Sequence, residues 1–286
     1  MENSSAKTVE PSWKANKKVW KRGDFLRVEE ILNEKHPFIY DDELATKARA
    51  LIRDFSLRIL PVTNRERKLL GIVSRGAVMS ISSSVSPIKV RGIMTNPRHV
   101  ATLEDEAFQT VREMLRVDEW CIPVVNSKAE NILKGVFGLE NFLESIIKTS
   151  PEKLAKPVSD LMSKTILTCS PDDEVDNVWR LMQNKSLAGL PVVAKNKLVG
   201  IVTQKDLLES GALMPTFESH KGRHKTSTKI SFVMKTNVIA VKPSVKAIRV
   251  AKVMVSKDIG RVPVVDEDGK LIGIVDREDI ARLIIK

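Results

Sequence analysis

Thr203 and Asp206 stand three residues apart, directly after the glycine-led apolar run Gly200-Ile201-Val202. At a strand-to-helix junction such a pair has local work to do: the hydroxyl caps the helix, and the carboxylate suits its positive first turn. The same two groups also suit a polar ligand. Other reactive chemistry is sparse. The four histidines and one tyrosine form no recognisable acid-base or nucleophile pair, so no catalysis is expected. Cys121 and Cys169 lie inside apolar β-like stretches and read as buried, reduced thiols. His220 and His224 can share a helix face, but three cations surround them and no third ligand is evident, so no metal is expected.

Cationic residues form the second chemical signal. Lys and Arg outnumber Asp and Glu by 47 to 36, a net charge of +11 that favours an anionic partner. The excess gathers in two places. An N-terminal arm carries Lys14, Lys17, Lys18, Lys21 and Arg22 with Trp13 and Trp20 interleaved, and a later stretch carries Lys221, Arg223 and Lys225. Basic residues with aromatics suit phosphate contact and base stacking, which makes RNA or a ribosomal subunit the expected partner, with a solvated tail as the plain alternative.

The elements that must position Thr203 and Asp206 recur four times. Pro61-Val62, Pro123-Val124, Pro191-Val192 and Pro263-Val264 each precede a glycine-led apolar strand at Gly71, Gly135, Gly200 and Gly273. Polar turn residues such as Asp266-Glu267-Asp268-Gly269 lie between, so each pair reads as a β-hairpin. An amphipathic helix precedes each hairpin. Ser170-Pro171-Asp172-Asp173 is expected to start the third, followed by an apolar face of Val175, Val178, Trp179 and Met182. Ala107, Val111, Met114 and Leu115 mark the second, and Val245, Ile248, Ala251, Val253 and Met254 the fourth. A further helix follows each glycine strand, giving an α/β unit of order β-α-β-β-α.

This order, with the pairs Ile93-Met94, Leu161-Met162 and Val233-Met234, resembles the cystathionine-β-synthase (CBS) domain over about residues 24 to 286. The resemblance implies four tandem units paired into two Bateman modules, one with two and three with four, like the nucleotide sensors related to the γ subunit of AMP-activated kinase. The expected division is a basic arm at 1–23, units at 24–86, 87–150, 151–210 and 229–286, and a basic linker at 211–228.

In that family the motif Gly-h-h-Ser/Thr-x-x-Asp binds an adenine nucleotide such as AMP, ADP or ATP, the hydroxyl meeting a phosphate and the carboxylate the ribose hydroxyls. Unit three has it whole, which implicates Thr203 and Asp206, with Lys205 near the phosphate and backbone around Ile166 and Thr168 near the base. Arg261 matches a position that reaches phosphate from the partner unit. Unit four keeps Asp279 but has Asp276 where the hydroxyl belongs, and that carboxylate should repel phosphate. Unit one keeps Ser74, with Arg58 and Arg75, as a weak second site. Unit two has neither group, and Phe137 and Leu139 read as packing. The whole reads as a non-enzymatic, metal-independent regulator. It is expected in the cytoplasm because no apolar run approaches the roughly 20 residues of a membrane span. A homodimer formed through the CBS modules is further expected, and an energy sensor acting on a protein target is the alternative reading.

Overall fold

The computed structural model describes residues 26–79, 81, 86–212 and 228–286. Unit one comprises β1 (Ile39–Tyr40), α1 (Ala45–Asp54), β2 (Ile59–Thr63), β3 (Leu69–Ser74) and α2 (Arg75–Met79). Unit two comprises β4 (Ala101–Thr102), α3 (Ala107–Arg116), β5 (Cys121–Val125), β6 (Leu133–Gly138) and α4 (Leu139–Thr149). Unit three comprises α5 (Val175–Asn184), β7 (Gly189–Ala194), β8 (Lys197–Thr203) and α6 (Gln204–Ser210), and unit four α7 (Ala247–Ser256), β9 (Arg261–Val265), β10 (Leu271–Asp276) and α8 (Arg277–Ile285). In the last two units the expected first strand shrinks to one parallel bridge, Cys169 to Val192 and Val241 to Val264.

The prolines and glycines recur because of what lies beside each hairpin. Pro61, Pro123, Pro191 and Pro263 face Ile72, Val136, Ile201 and Ile274 across their antiparallel ladders. Each opposing residue turns its N–H and C=O outward, as antiparallel geometry allows at alternate positions. The chain leading into the partner unit takes up both groups: Ile72 exchanges hydrogen bonds with Thr95, Val136 with Asn33, Ile201 with Lys235 and Ile274 with Ser163, all between 2.8 and 3.1 Å. The neighbouring glycine makes room. A Cβ on Gly135 would lie 2.5 Å from Asn33 O, and one on Gly71 2.8 Å from Thr95 O. Met162 and Met234 pack on Gly273 and Gly200 in the other module.

The same lead-in segments cap the partner's first helix. Ala45 N donates to Ile88 O, Ala107 N to Leu26 O, Val175 N to Thr228 O and Ala247 N to Lys156 O. This corrects the expected start of α5. Its N-cap is Glu174, which makes no side-chain cap, while Ser170 and Asp173 close a turn upstream through Ser170 N to Asp173 Oδ2 at 2.8 Å. A carbonyl from the partner unit satisfies the orphan N–H that a side chain was expected to take. Unit one is thereby interlocked with two, and three with four.

The apolar helix faces are as the spacing predicts: Val175, Val178, Trp179 and Met182 are buried, as are Ala107, Val111, Met114 and Leu115. The α7 face is the exception: its buried stripe is Ala247, Val250, Ala251 and Met254, with Val245 and Ile248 only packed at its margin and the expected Val253 outside the core. The two modules meet through helices, α4 against α7 and α8, α3 against α8, and α1 and α2 against α6. Phe142, Leu143 and Ile146 thus share one core with Val250, Met254, Ile280 and Ile284.

Because the group opposing Gly135 is backbone, Gly135→Ala forces the exchanged segment out of register, and about 1–3 kcal/mol of destabilisation is expected. Equilibrium urea unfolding against the wild type measures it, and an unchanged midpoint would refute the close approach.

Candidate ligand cavity between the two modules

The Thr203 and Asp206 pair is built as a capping box. Thr203 Oγ1 accepts from Asp206 N at 3.3 Å and donates to Asp206 Oδ2 at 2.6 Å, while Thr203 N donates to the same oxygen at 2.8 Å. Asp206 is 5% exposed. Its Oδ1 lies 2.9 Å from Lys235 Nζ in unit four, and the carboxylate holds that ammonium above its ordinary range. Lys205 turns away and faces Glu209 one helical turn on, at 3.8 Å.

A cavity of about 770 Å³ opens where all four units converge. Its walls include Arg261 and Ile166 from the expected unit-three site, together with Ser74, Arg58 and Arg75 from the expected second site. Thr203, Lys205, Asp206, Thr168 and Asp279 are not among its lining residues, whereas Gly189, in register with Thr203, and Gln204 are. Unit three supplies apolar wall through Ile166, Leu167, Trp179 and Leu187, and the cations Arg58, Arg75, Arg98, Lys185 and Arg261 share the lining with the carboxylates Asp118, Glu119, Asp276 and Glu278. The volume and the mixture suit a ligand with an apolar ring and an anionic tail.

The arginines differ in what they can offer. Arg75 is anchored: its guanidinium donates through Nε and Nη2 to Ser56 O and twice to Leu57 O, at 2.8 to 3.1 Å, closing the end of α1. Burial lowers it to about 10. These bonds give Arg75 a structural role beside the second site expected in unit one, and Gln204 does the same in unit three by donating to Leu187 O. Ser74 accepts from Ala77 N at 3.2 Å and caps α2. Arg261 Nη1 donates to Gly189 O at 2.5 Å, and burial lowers it to about 10 against the opposing pull of Asp276. Arg58 stacks on Trp120, 4.5 Å from the ring centroid, and burial lowers its pKa too.

Units two and four carry carboxylates at the corresponding helix starts. Asp276 accepts from Glu278 N and Asp279 N at 2.9 and 3.0 Å, so it fills the N-terminal anion position of α8 itself. In unit two a Cβ on Gly138 would lie 2.4 Å from Glu140 Oε1, so the carboxylate has folded back over that position. Glu140 Oε2 pairs there with Arg277 Nη1 at 3.1 Å, and Arg277 Nη2 reaches Asp258 Oδ1 at 2.9 Å. Arg277 is 2% exposed and ties the modules together. Phe137 and Leu139 are fully buried, as packing requires. Both cysteines are buried free thiols pushed up to about 12 by burial.

Sequence reasoning missed Trp120, Lys235, Glu140 and Arg277, all of which act across unit boundaries. Trp13, Lys14, Lys17, Lys18, Trp20, Lys21, Arg22, Lys221, Arg223 and Lys225 lie outside the described residues. Among the described residues no His, Cys, Asp and Glu cluster is arranged to hold a metal, and no helix is long and apolar enough to cross a membrane.

Comparison with known proteins gives the class. The CBS domain matches residues 28–84, 158–212 and 230–286, together more than half of the chain, and the chain belongs to that family. Unit two carries the same order of elements outside those matches. The protein MJ1225 of Methanocaldococcus jannaschii is 26% identical over 282 residues, covering 90% of this chain and 99% of that one. Its crystal structure, described as a candidate archaeal homologue of γ-AMPK, superposes with a TM-score of 0.79 at 24% identity over 90% of this chain and 99% of that one. A conserved protein from Pyrococcus horikoshii shares the fold at 20% identity and TM-score 0.63, over 91% of this chain and 100% of its own. An inosine-5'-monophosphate dehydrogenase of Korarchaeum cryptofilum is 32% identical over 130 residues, 45% of this chain but 24% of that enzyme.

Burial, then the neighbouring Asp276 carboxylate, raises Asp279 to about 7 from its ordinary 3.8. The folded state therefore keeps a proton that the unfolded chain has lost, and stability falls as pH rises from about 4 to 7. Asp279→Asn should flatten that decline in urea titrations across the same range; an unchanged slope would contradict it.

Proposed function

We propose that this chain is a non-catalytic regulatory protein of the cytoplasm that binds AMP, ADP or ATP in the cavity between its modules. The observation that carries the reading is the mixed lining of that cavity, in which the apolar Ile166, Leu167 and Trp179 stand with the cations Arg58 and Arg261. The base rests against Ile166, with Thr168 behind it, and the phosphates meet Arg261; Asp206 lies outside the cavity lining and must leave its pair with Lys235 to accept the ribose hydroxyls. Two vicinal hydroxyls match a carboxylate already held by its helix cap. Similarity to MJ1225, described as a candidate γ-AMPK homologue, supports a sensor of adenine nucleotides.

Binding then acts by linkage: a ligand touching both modules favours the arrangement in which they close on it, and whatever partner prefers that arrangement is bound more tightly. The net charge of +11 and the two basic stretches favour RNA or a ribosomal subunit as that partner. Action on a protein target is the alternative, and under either reading the chain is a homodimer.

Calorimetry with AMP, ADP and ATP tests the site. Asp206→Ala should weaken nucleotide binding about tenfold or more, the worth of a hydrogen bond to a charged group. Equal affinities would discard the ribose contact. RNA retention should fall steeply with salt and vanish when residues 1–23 are deleted; salt-insensitive or absent retention would leave the protein-target reading.

A further inference from the structure

From Lys229 to Lys257 the chain carries no aspartate or glutamate, and this stretch includes the whole of α7. Lys246 is the N-cap of that helix, Arg249 and Lys252 follow on its exposed side, and its first turn holds no acid. A helix is positive at this end, so cations there are unfavourable unless an anion offsets them. Units two and three do the opposite at the same place. Helix α3 starts with Glu106, which accepts from Phe108 N and Gln109 N, and α5 starts with Glu174 and Asp176.

The backbone exchange brings in further cations. Lys156 O accepts from Ala247 N at 2.8 Å and Pro157 bridges to Lys246, so the exposed Lys156 of unit three stands beside the exposed Lys246 of unit four. Just upstream, the 3-10 turn Pro151–Leu154 packs on α4, α7 and α8 and carries Lys153, whose Nζ lies 4.5 Å from the Phe108 ring centroid. Glu152 is the one acid between Lys148 and Lys156. Among the described residues Lys156, Lys246, Arg249 and Lys252 make no ion pair, whereas Lys229, Lys235 and Lys242 pair with Asp172, Asp206 and Glu267.

The kind of partner follows from what this face lacks. Helix α7 turns its apolar stripe into the core, so it has none to lay in a bilayer as an interfacial helix does. None of the exposed large apolar residues falls in α7 or in residues 151–156, so the face also lacks the buried anchor on which protein interfaces centre. What it offers is fixed, unpaired positive charge, whose complement is a polyanion that releases counterions on contact.

We propose that Lys156, Lys246, Arg249 and Lys252 bind the phosphodiester backbone of RNA. The surface rests on the reading that the chain engages RNA, and it places part of that contact on the folded repeats, acting together with the N-terminal arm. Unit three supplies Lys156 and unit four supplies α7, so the surface exists only in the paired module. Phosphate contacts of this kind give affinity without sequence preference.

Fluorescence anisotropy on the full chain with a labelled oligouridylate and a labelled RNA duplex, repeated across a salt series, tests it. Thermal unfolding serves as the control for folding. The triple variant Lys246→Gln, Arg249→Gln and Lys252→Gln should weaken RNA binding about tenfold or more at low salt. It should also lessen the slope of log affinity against log salt by about 0.7 to 0.9 for each lost phosphate contact, about 2 to 3 in all. Lys156→Gln, which lies outside every helix, should lessen the slope by about 0.7 to 0.9 and repeats the test should the helix variant not fold. Lys68→Gln with Lys128→Gln and Lys134→Gln removes the same charge from the hairpins of units one and two and should change binding little. If the α7 and Lys156 variants keep the wild-type affinity and slope, or if the hairpin variant loses as much, the surface is refuted while RNA binding stands. If the folded wild type binds neither RNA, whether or not it binds vesicles of phosphatidylserine and phosphatidylcholine, the surface and the RNA reading fall together.

Discussion

Everything in this structure depends on a backbone exchange between paired units. Each hairpin leaves one N–H and one C=O facing outward opposite its proline, and each first helix starts without a side-chain partner for its leading N–H at Ala45, Val175 or Ala247. The lead-in chain of the partner unit satisfies both needs. A buried polar backbone group left unpaired is costly, so a unit standing alone would carry several such groups at once. The pair, rather than the single unit, is the smallest piece with its hydrogen bonds complete.

Above that level the modules are joined by apolar helix faces and a buried ion cluster, and the join is uneven. Units two and four share one continuous core, with Arg277 bridging Glu140 and Asp258, whereas units one and three keep separate cores that touch through Leu208 and Met79. The chemistry follows the same asymmetry. In units two and four a carboxylate of the chain, Glu140 or Asp276, already occupies the helix-start position where an anion would bind. Units one and three present hydroxyls there, Ser74 and Thr203. Four copies of one scaffold therefore offer one shared cavity, with its apolar wall drawn largely from unit three and its cations from all four units.

Much of this was legible in the sequence because its cause is local and repeated. Proline fixes a position that needs no donor, glycine one residue from its opposing strand position admits the crossing chain, and four copies at nearly constant spacing identify both. Helix faces followed from periodicity for the same reason. What escaped were contacts between units. No local signal says that Lys235 faces Asp206, that Trp120 carries Arg58 and Arg261, or that Arg75 returns to the carbonyls of Ser56 and Leu57. The misplaced start of α5 has the same origin: Ser170 and Pro171 are good cap residues, but Thr228 of the partner segment supplies the partner that a cap would have been.

A nucleotide bound between the modules, as proposed, would touch both of them. A crystal structure of the full chain grown with saturating ATP tests this most directly. Nucleotide density against Ile166 and Trp179, with phosphoryl groups at Arg58 and Arg261, is the expected result. Density elsewhere, with these two arginines still stacked on Trp120 and no phosphoryl group between them, would contradict it.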